Sequence, residues 1–223
     1  MRICSTDGRP VEASEYIGVV HARTLFLALL AAATLAACSP ETAEDYTTKI
    51  VRGREQKDRM FRESDDSPVK KPEFDKFLPL PYFPIDESYA VPAQLEPFKQ
   101  RQTFTMPTST GTLRSVERLG TLRFSLKGEP LKLTAFLEEG AKDLFVPFSD
   151  LTSGTETYQA GRYMNLEPTA SGVYIVDFNT AYNPYCYYNA GYECPLPPAE
   201  NRLKVPIRAG ERMRNADATI IRE

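Results

Sequence analysis

Carboxylates, hydroxyls and two cysteines are the groups with which this sequence could do chemistry, because imidazole is almost missing from it. Its one histidine, His21, stands just before an apolar run at residues 25–35 that reads as a removable leader, so the remaining chain has none. That excludes Ser-His-Asp and Cys-His nucleophilic catalysis and histidine-ligated metals. Ser153 does not sit in a Gly-x-Ser-x-Gly turn, and no glycine-rich phosphate loop or dinucleotide fingerprint is present. No cofactor is expected. Two acids flanking a glycosidic bond could still act, with Asp150, Glu156, Asp177 and Glu211 as candidates, as could a tyrosine or serine nucleophile beside a lysine base. Nothing in the spacing makes two of those acids converge.

Of the four cysteines, Cys4 falls in the leader and Cys38 at its end, which leaves Cys186 and Cys194. In an oxidising compartment such a pair is expected to form a disulfide. Free thiols and a metal pair are the alternatives, although the metal reading lacks a histidine and the close spacing of zinc knuckles. Five of the twelve tyrosines, Tyr182, Tyr185, Tyr187, Tyr188 and Tyr192, lie in or beside this loop. Each offers a large apolar body with a polar tip, suited to a binding surface and equally to a packed loop with its hydroxyls bonded. Asp177, Asn179 and Asn183 place oxygens at positions one, three and seven of a potential calcium loop. Ala181, Tyr182 and Tyr188 stand where that loop wants an oxygen donor, a glycine and a glutamate, so local Asx turns explain the asparagines more simply and no metal is expected. Arg162 and Arg202 could pair with Asp150, Asp177, Glu200 or Glu211 to fix loops, or present a planar fork to a carboxylate or phosphate. The candidate binding face therefore combines Thr152, Ser153, Thr157, Tyr158 and Arg162 with Asp177, Asn179, Tyr182, Asn183, Tyr185, Asn201 and Arg202.

The elements that must position these groups can be read in outline. A chain of 223 residues, 42% hydrophobic, supports one well-packed domain. Its 27 basic and 30 acidic residues, net charge -3, form no basic stripe, which argues against nucleic acid as a partner. Residues 42–63 predict one imperfect helix. Prolines at seven positions between 67 and 97 allow only brief regular structure there. Beyond residue 102 the pattern predicts strands at 112–118, 121–126, 131–137, 144–148, 162–166, 173–178 and 203–207. The fold class is thus mostly β: a single β-sandwich or partly open β-barrel with an N-terminal helix.

The eleven apolar residues 25–35 are too few to cross a bilayer, which takes about 20, and they match the hydrophobic part of an export signal. Leu35, Ala36, Ala37 and Cys38 resemble the lipobox of bacterial lipoproteins, in which the cysteine is acylated and becomes the first mature residue. The implied division is a signal peptide over 1–37, with translation starting near residue 20, a lipid-anchored tether over 38–48, one domain over 49–215 and a tail over 216–223. Several acyl chains on Cys38 make a lasting anchor. Ser39, rather than aspartate, follows it, which favours the outer membrane facing the periplasm in a Gram-negative host.

Two runs carry a further resemblance. One spans Asp150, Leu151, Thr152, Ser153, Gly154, Thr155, Glu156, Thr157 and Tyr158, followed by Gly161, Arg162 and Tyr163. The other extends from Val176, Asp177, Phe178 and Asn179 through Asn183, Pro184, Tyr185 and Cys186 to Cys194, Pro195, Glu200, Asn201, Arg202, Gly210 and Glu211. Together they resemble the bacterial and archaeal family called domain of unknown function 1684, with this chain a lipoprotein member, over roughly residues 50–213. The resemblance brings no activity with it. The expected function is a non-catalytic binding or interaction module whose partners are the membrane, through the anchor, and an unknown envelope protein or glycan. An envelope hydrolase acting on glycans through paired carboxylates is the alternative.

Overall fold

The helix expected over 42–63 begins where a side chain can cap it. The Asp45 carboxylate accepts the free amides of Thr47 and Thr48 at 3.1 and 3.0 Å, and α1 runs from there as Tyr46–Glu63. The computed structural model describes residues 44–167 and 170–214; the expected leader, Cys38 and the residues from 215 onward lie outside them. After α1 come α2 (Phe74–Phe77), β1 (Ala90–Pro107), β2 (Leu113–Leu126), β3 (Glu129–Leu137), β4 (Leu144–Phe148), β5 (Arg162–Leu166), β6 (Val173–Asp177) and α3 (Tyr185–Tyr188). No helix among the described residues is long and apolar enough to cross a membrane.

All six strands join one antiparallel sheet in the order β5-β4-β3-β2-β1-β6. Its two edge strands approach each other, so the sheet curls into a partly open barrel rather than a sandwich. Leu122, Leu133, Val146, Met164, Val176 and Phe178 fill the inside. Lys127 and Gly128 join β2 to β3 with φ of 50° and 88°, the left-handed pair a two-residue hairpin turn requires.

Three departures from expectation have local causes. Residues 90–107 form the long strand β1 despite Pro92 and Pro97. Pro92 lies in the β1–β6 ladder opposite Ile175, but the alternation that sends the Leu95 amide to the Gly172 carbonyl turns the Pro92 nitrogen toward β2, whose ladder starts only at Ala93. Pro97 closes that ladder's first stretch where the register shifts before Gln102, so neither lacks a bond a ladder needs. The strands expected at 112–118 and 121–126 are one bent strand, β2. It bulges at Leu119, beside Gly120, where a Cβ would overlap the backbone of Glu96 and Pro97. Residues 203–207 form no strand: Leu203 and Val205 make single backbone bonds to Ser149 and Leu151, and side chains then take over the backbone at Ile207. Asp150 accepts the Ile207 amide at 3.1 Å and Arg162 donates to the Ile207 carbonyl at 2.7 Å.

Asn201 performs a similar service inside the sheet. β3 and β4 pair directly at Phe136 and Phe145. Beyond that point the buried Asn201 side chain bridges them, accepting from the Thr134 amide at 2.7 Å and donating to the carbonyls of Thr134 and Pro147 at 2.9 and 2.7 Å. Asn201→Ala strands three buried backbone groups. It is expected to lower the unfolding free energy by about 2 kcal/mol, with faster exchange of the Thr134 amide in hydrogen-exchange measurements.

Candidate functional site: a tyrosine-walled cleft beside α1

The one helix of any length among the described residues packs by a few apolar contacts and leaves one face free. Ile50 and Phe61 are its buried residues, and Phe61 meets the edges of Tyr185 and Tyr188 at 6.0 and 5.2 Å. Lys49, Gly53, Arg54 and Lys57, spaced so as to share one side of α1, look onto a cleft of about 760 Å³. Opposite them stand Tyr182, Tyr185, Tyr192 and Tyr163, with Phe145 of β4. Arg114, Glu138 and Asn165 complete the strand side, and Asn179 and Glu211 the remainder.

Gly53 shapes this space. Glycine inside a helix costs about 1 kcal/mol relative to alanine, yet a Cβ here would meet nothing within 4 Å. No crowding requires the glycine, and its missing side chain widens the cleft.

Most charges in the cleft are matched. Arg114 donates to Glu138 at 2.9 Å. The Arg54 guanidinium lies 4.3 Å over the Tyr82 ring and donates to the Phe83 carbonyl at 3.1 Å; burial pulls its pKa down. Lys57 pairs with Glu211 while lying 4.9 Å over the Tyr182 ring. Glu211, 1% exposed, also accepts from the Tyr188 hydroxyl at 2.6 Å and the Asn183 amide at 2.8 Å. The exposed ammonium of Lys49 has no ion-pair partner among the described residues. Burial pushes the phenols of Tyr182, Tyr185 and Tyr163 up, so at neutral pH they are uncharged hydroxyls.

Of the residues singled out in the sequence, Asn179, Tyr182 and Tyr185 line the cleft, together with Glu211 and Cys194. The tyrosine loop divides. Tyr182, Tyr185 and Tyr192 face the cleft, Tyr185 and Tyr192 edge to face at 5.2 Å, whereas Tyr187 and Tyr188 pack with Phe77 of α2. Sequence reading missed Lys49, Arg54 and Lys57, whose signal, basic residues on one side of a helix with a glycine between them, was legible but nonspecific; it also missed Arg114 and Glu138, on and beside strands, for which no local signal existed.

The run from Thr152 to Arg162 is corrected as a ligand face. Arg162 is 1% exposed, and its fork is occupied by the carbonyls of Ile207, Ala209 and Glu211 and by Asp150 at 3.0 Å. Asp150 also accepts from the amide and hydroxyl of Thr152 at 2.8 and 2.6 Å. Thr152 and Thr157 join hydroxyls at 2.9 Å, and Ser153 accepts the Asp150 amide at 3.1 Å. These side chains close a turn on itself, and none of them, nor Tyr158, lines the cleft. The buried Asn201 is the strand bridge described above, and the exposed Arg202 is likewise outside the cleft.

Calcium coordination loses its donors in the same way. Asp177 receives the Tyr46 hydroxyl at 2.9 Å and the Asn179 amide at 2.9 Å. Asn179 is spanned between Tyr46 and the backbone of Asp86; Asn183 is buried with its backbone amide on Glu211 and its Oδ1 without a hydrogen-bond partner among the described residues. Among the described residues no three acid, cysteine or histidine side chains group as a metal site would require. The expected disulfide is also corrected. Cys186 and Cys194 are brought together, but as free thiols, the Cys186 amide donating to the Cys194 sulfur at 3.0 Å. The Cys194 thiol donates a hydrogen bond to the Cys186 sulfur.

A curled antiparallel half-barrel flanked by a helix, with an aromatic and polar cleft of ligand size between helix and barrel end, defines a small β domain with a candidate binding cavity. The sequence model of the family described as protein of unknown function, DUF1684, matches residues 75–212, and the chain belongs to that family. Helix α1, one wall of the cleft, precedes the matched residues. The solution NMR structure of the uncharacterized protein from gene locus rrnAC0354 of Haloarcula marismortui is similar: it is 39% identical with a TM-score of 0.62, and the match covers 77% of this chain and 96% of that one. None of the curated proteins compared with the chain matches it.

Proposed function

We propose that the protein is a cell-envelope lipoprotein, held to a membrane by acyl chains on Cys38, whose domain binds an envelope carbohydrate in the cleft without cleaving it. The carrying observation is the opposition of tyrosine rings to a row of charged and amide side chains across a cavity of ligand size. A sugar ring has C–H faces and a rim of hydroxyls. The faces of Tyr185 and Tyr192 suit the first; Lys49, Arg114, Glu138 and Asn165 supply donors and acceptors for the second. A wholly apolar ligand would strip water from these groups without compensation. Of the three acids lining the cleft, Glu138 and Glu211 are each engaged by a cation, which leaves Glu193 without the second free carboxylate that hydrolysis of a glycosidic bond would need. The anchor rests on the leader and lipobox at residues 25–38, and Ser39 favours the outer membrane of a Gram-negative host.

Full-length protein purified in detergent, titrated with oligomers of β-1,4-linked N-acetylated amino sugars, is expected to show saturable quenching of tyrosine fluorescence. Gly53→Leu, which fills open space, should weaken that response at least about tenfold, or 1.4 kcal/mol, while α1 becomes no less stable. Absence of saturation with these and with acidic oligosaccharides would sink the carbohydrate reading. Cys38→Ser, in turn, should abolish palmitate labelling and release the protein from the membrane fraction.

A further inference from the structure

We propose that Cys186 and Cys194 form a thiol–disulfide exchange site for aliphatic disulfides, in which Cys186 is the attacking sulfur and Cys194 the resolving one. The fold makes the pair and makes it unequal. Cys186 sits partly exposed in α3, and a turn through the exposed Ala190, Gly191 and Glu193 brings Cys194 back against it. Cys194 is 4% exposed, packed with Met106, Val116, Phe136, Phe145 and Tyr163. Its amide is fixed by the Ser109 hydroxyl at 3.1 Å. An incoming disulfide therefore reaches Cys186 first, and Cys194 is held behind it.

The surroundings favour a thiolate on the exposed sulfur. The Tyr158 hydroxyl points at Cys186 Sγ from 4.0 Å. The hydrogen bond from the Cys194 thiol, ahead of those from Tyr158 and Ser109, brings the Cys186 pKa down to about 7. The same bond, with burial, raises Cys194. A thiol whose pKa lies near ambient pH is the most effective attacker in such exchange.

The steps balance. The Cys186 thiolate attacks one sulfur of R–S–S–R′, forming Cys186–S–S–R and releasing R′S⁻. The Cys194 thiol gives its proton to that R′S⁻ and attacks the Cys186 sulfur, expelling RS⁻ and leaving a Cys186–Cys194 disulfide. Two protein thiols are oxidised and one external disulfide is reduced to two thiols; an external thiol, in excess, runs the sequence backwards. The site depends neither on the lipid anchor nor on the ligand of the cleft, although Cys194 is one of the cleft's lining residues.

The test equilibrates full-length protein in detergent with mixtures of reduced and oxidised glutathione, followed by acid quenching, alkylation and peptide mass mapping. The pair should convert reversibly between dithiol and disulfide as the mixture changes. Cys194→Ser should trap glutathione on Cys186, and Cys186→Ser should place it on Cys194 at least about tenfold more slowly. In the parent protein, alkylation of Cys186 should rise with pH around a midpoint near 7 instead of the ordinary thiol value of 9.0, and Tyr158→Phe should move that midpoint up. A pair that stays oxidised, or stays reduced, across all mixtures overturns the proposal without reference to any variant. So does equal adduct formation at both cysteines.

Discussion

Arg162→Met is expected to unfold in urea with about 3–5 kcal/mol less free energy than the parent protein. The reason lies in what the guanidinium leaves behind. Methionine fills much of the same volume, but the Asp150 carboxylate, 1% exposed at its side chain, then has no counter-charge, and the carbonyls of Ile207, Ala209 and Glu211 lose their donors. Removing one member of a buried pair costs more than the pair itself is worth. The double variant Arg162→Met/Asp150→Asn should therefore recover about 1–2 kcal/mol. Asparagine removes the unpaired charge while its carbonyl can still accept from Thr152 and Ile207. A single-variant loss below about 1 kcal/mol would show that water reaches Asp150 and that the cluster is not sealed. The effect extends beyond β5, because Arg162 fixes the main chain at residues 207–211 and so places Glu211 in the cleft.

The contrast between Arg162 and Lys49 shows what a sequence can disclose. Short runs of apolar and β-branched residues bounded by turn residues identified β3, β4, β5 and β6 to within two residues, because those signals are local; only β6 buries alternate residues, and β4 is buried on both faces. β1 was hidden by its prolines, since whether Pro92 matters depends on where a partner strand's ladder begins. The tail at 203–207 misled for the opposite reason. Its alternation is that of a strand, but after isolated backbone bonds to Ser149 and Leu151 its Ile207 groups go to the side chains of Asp150 and Arg162, partners that only the tertiary fold supplies. The same holds for the site. Dense tyrosines pointed to the right loop, and three of the five face the cleft, yet the cationic wall comes from a helix more than a hundred residues earlier in the chain. Polar residues clustered near Thr152 looked available in sequence because it does not reveal that their bonds close on one another.

That distinction between available and committed polar groups bears on whether the cleft does chemistry, and Glu211→Gln separates the possibilities. Glutamine has nearly the same shape, but one oxygen becomes an NH2 group, and each Glu211 oxygen accepts only from donors: Lys57 and Tyr82 on one side, Asn183 and Tyr188 on the other. The amide must face a donor whichever way it turns, and Lys57 loses its counter-charge. The expected loss is about 3–4 kcal/mol of unfolding free energy, with the tyrosine wall loosened through Tyr188. Glu138→Gln, which breaks only the partly exposed pair with Arg114, should cost no more than about 1 kcal/mol. If Glu211 instead served as a glycan-cleaving acid, its glutamine variant would keep its stability and lose turnover. Denaturation of the two variants side by side, with oligosaccharide cleavage assayed on the parent, therefore tells a structural carboxylate from a catalytic one by which quantity moves.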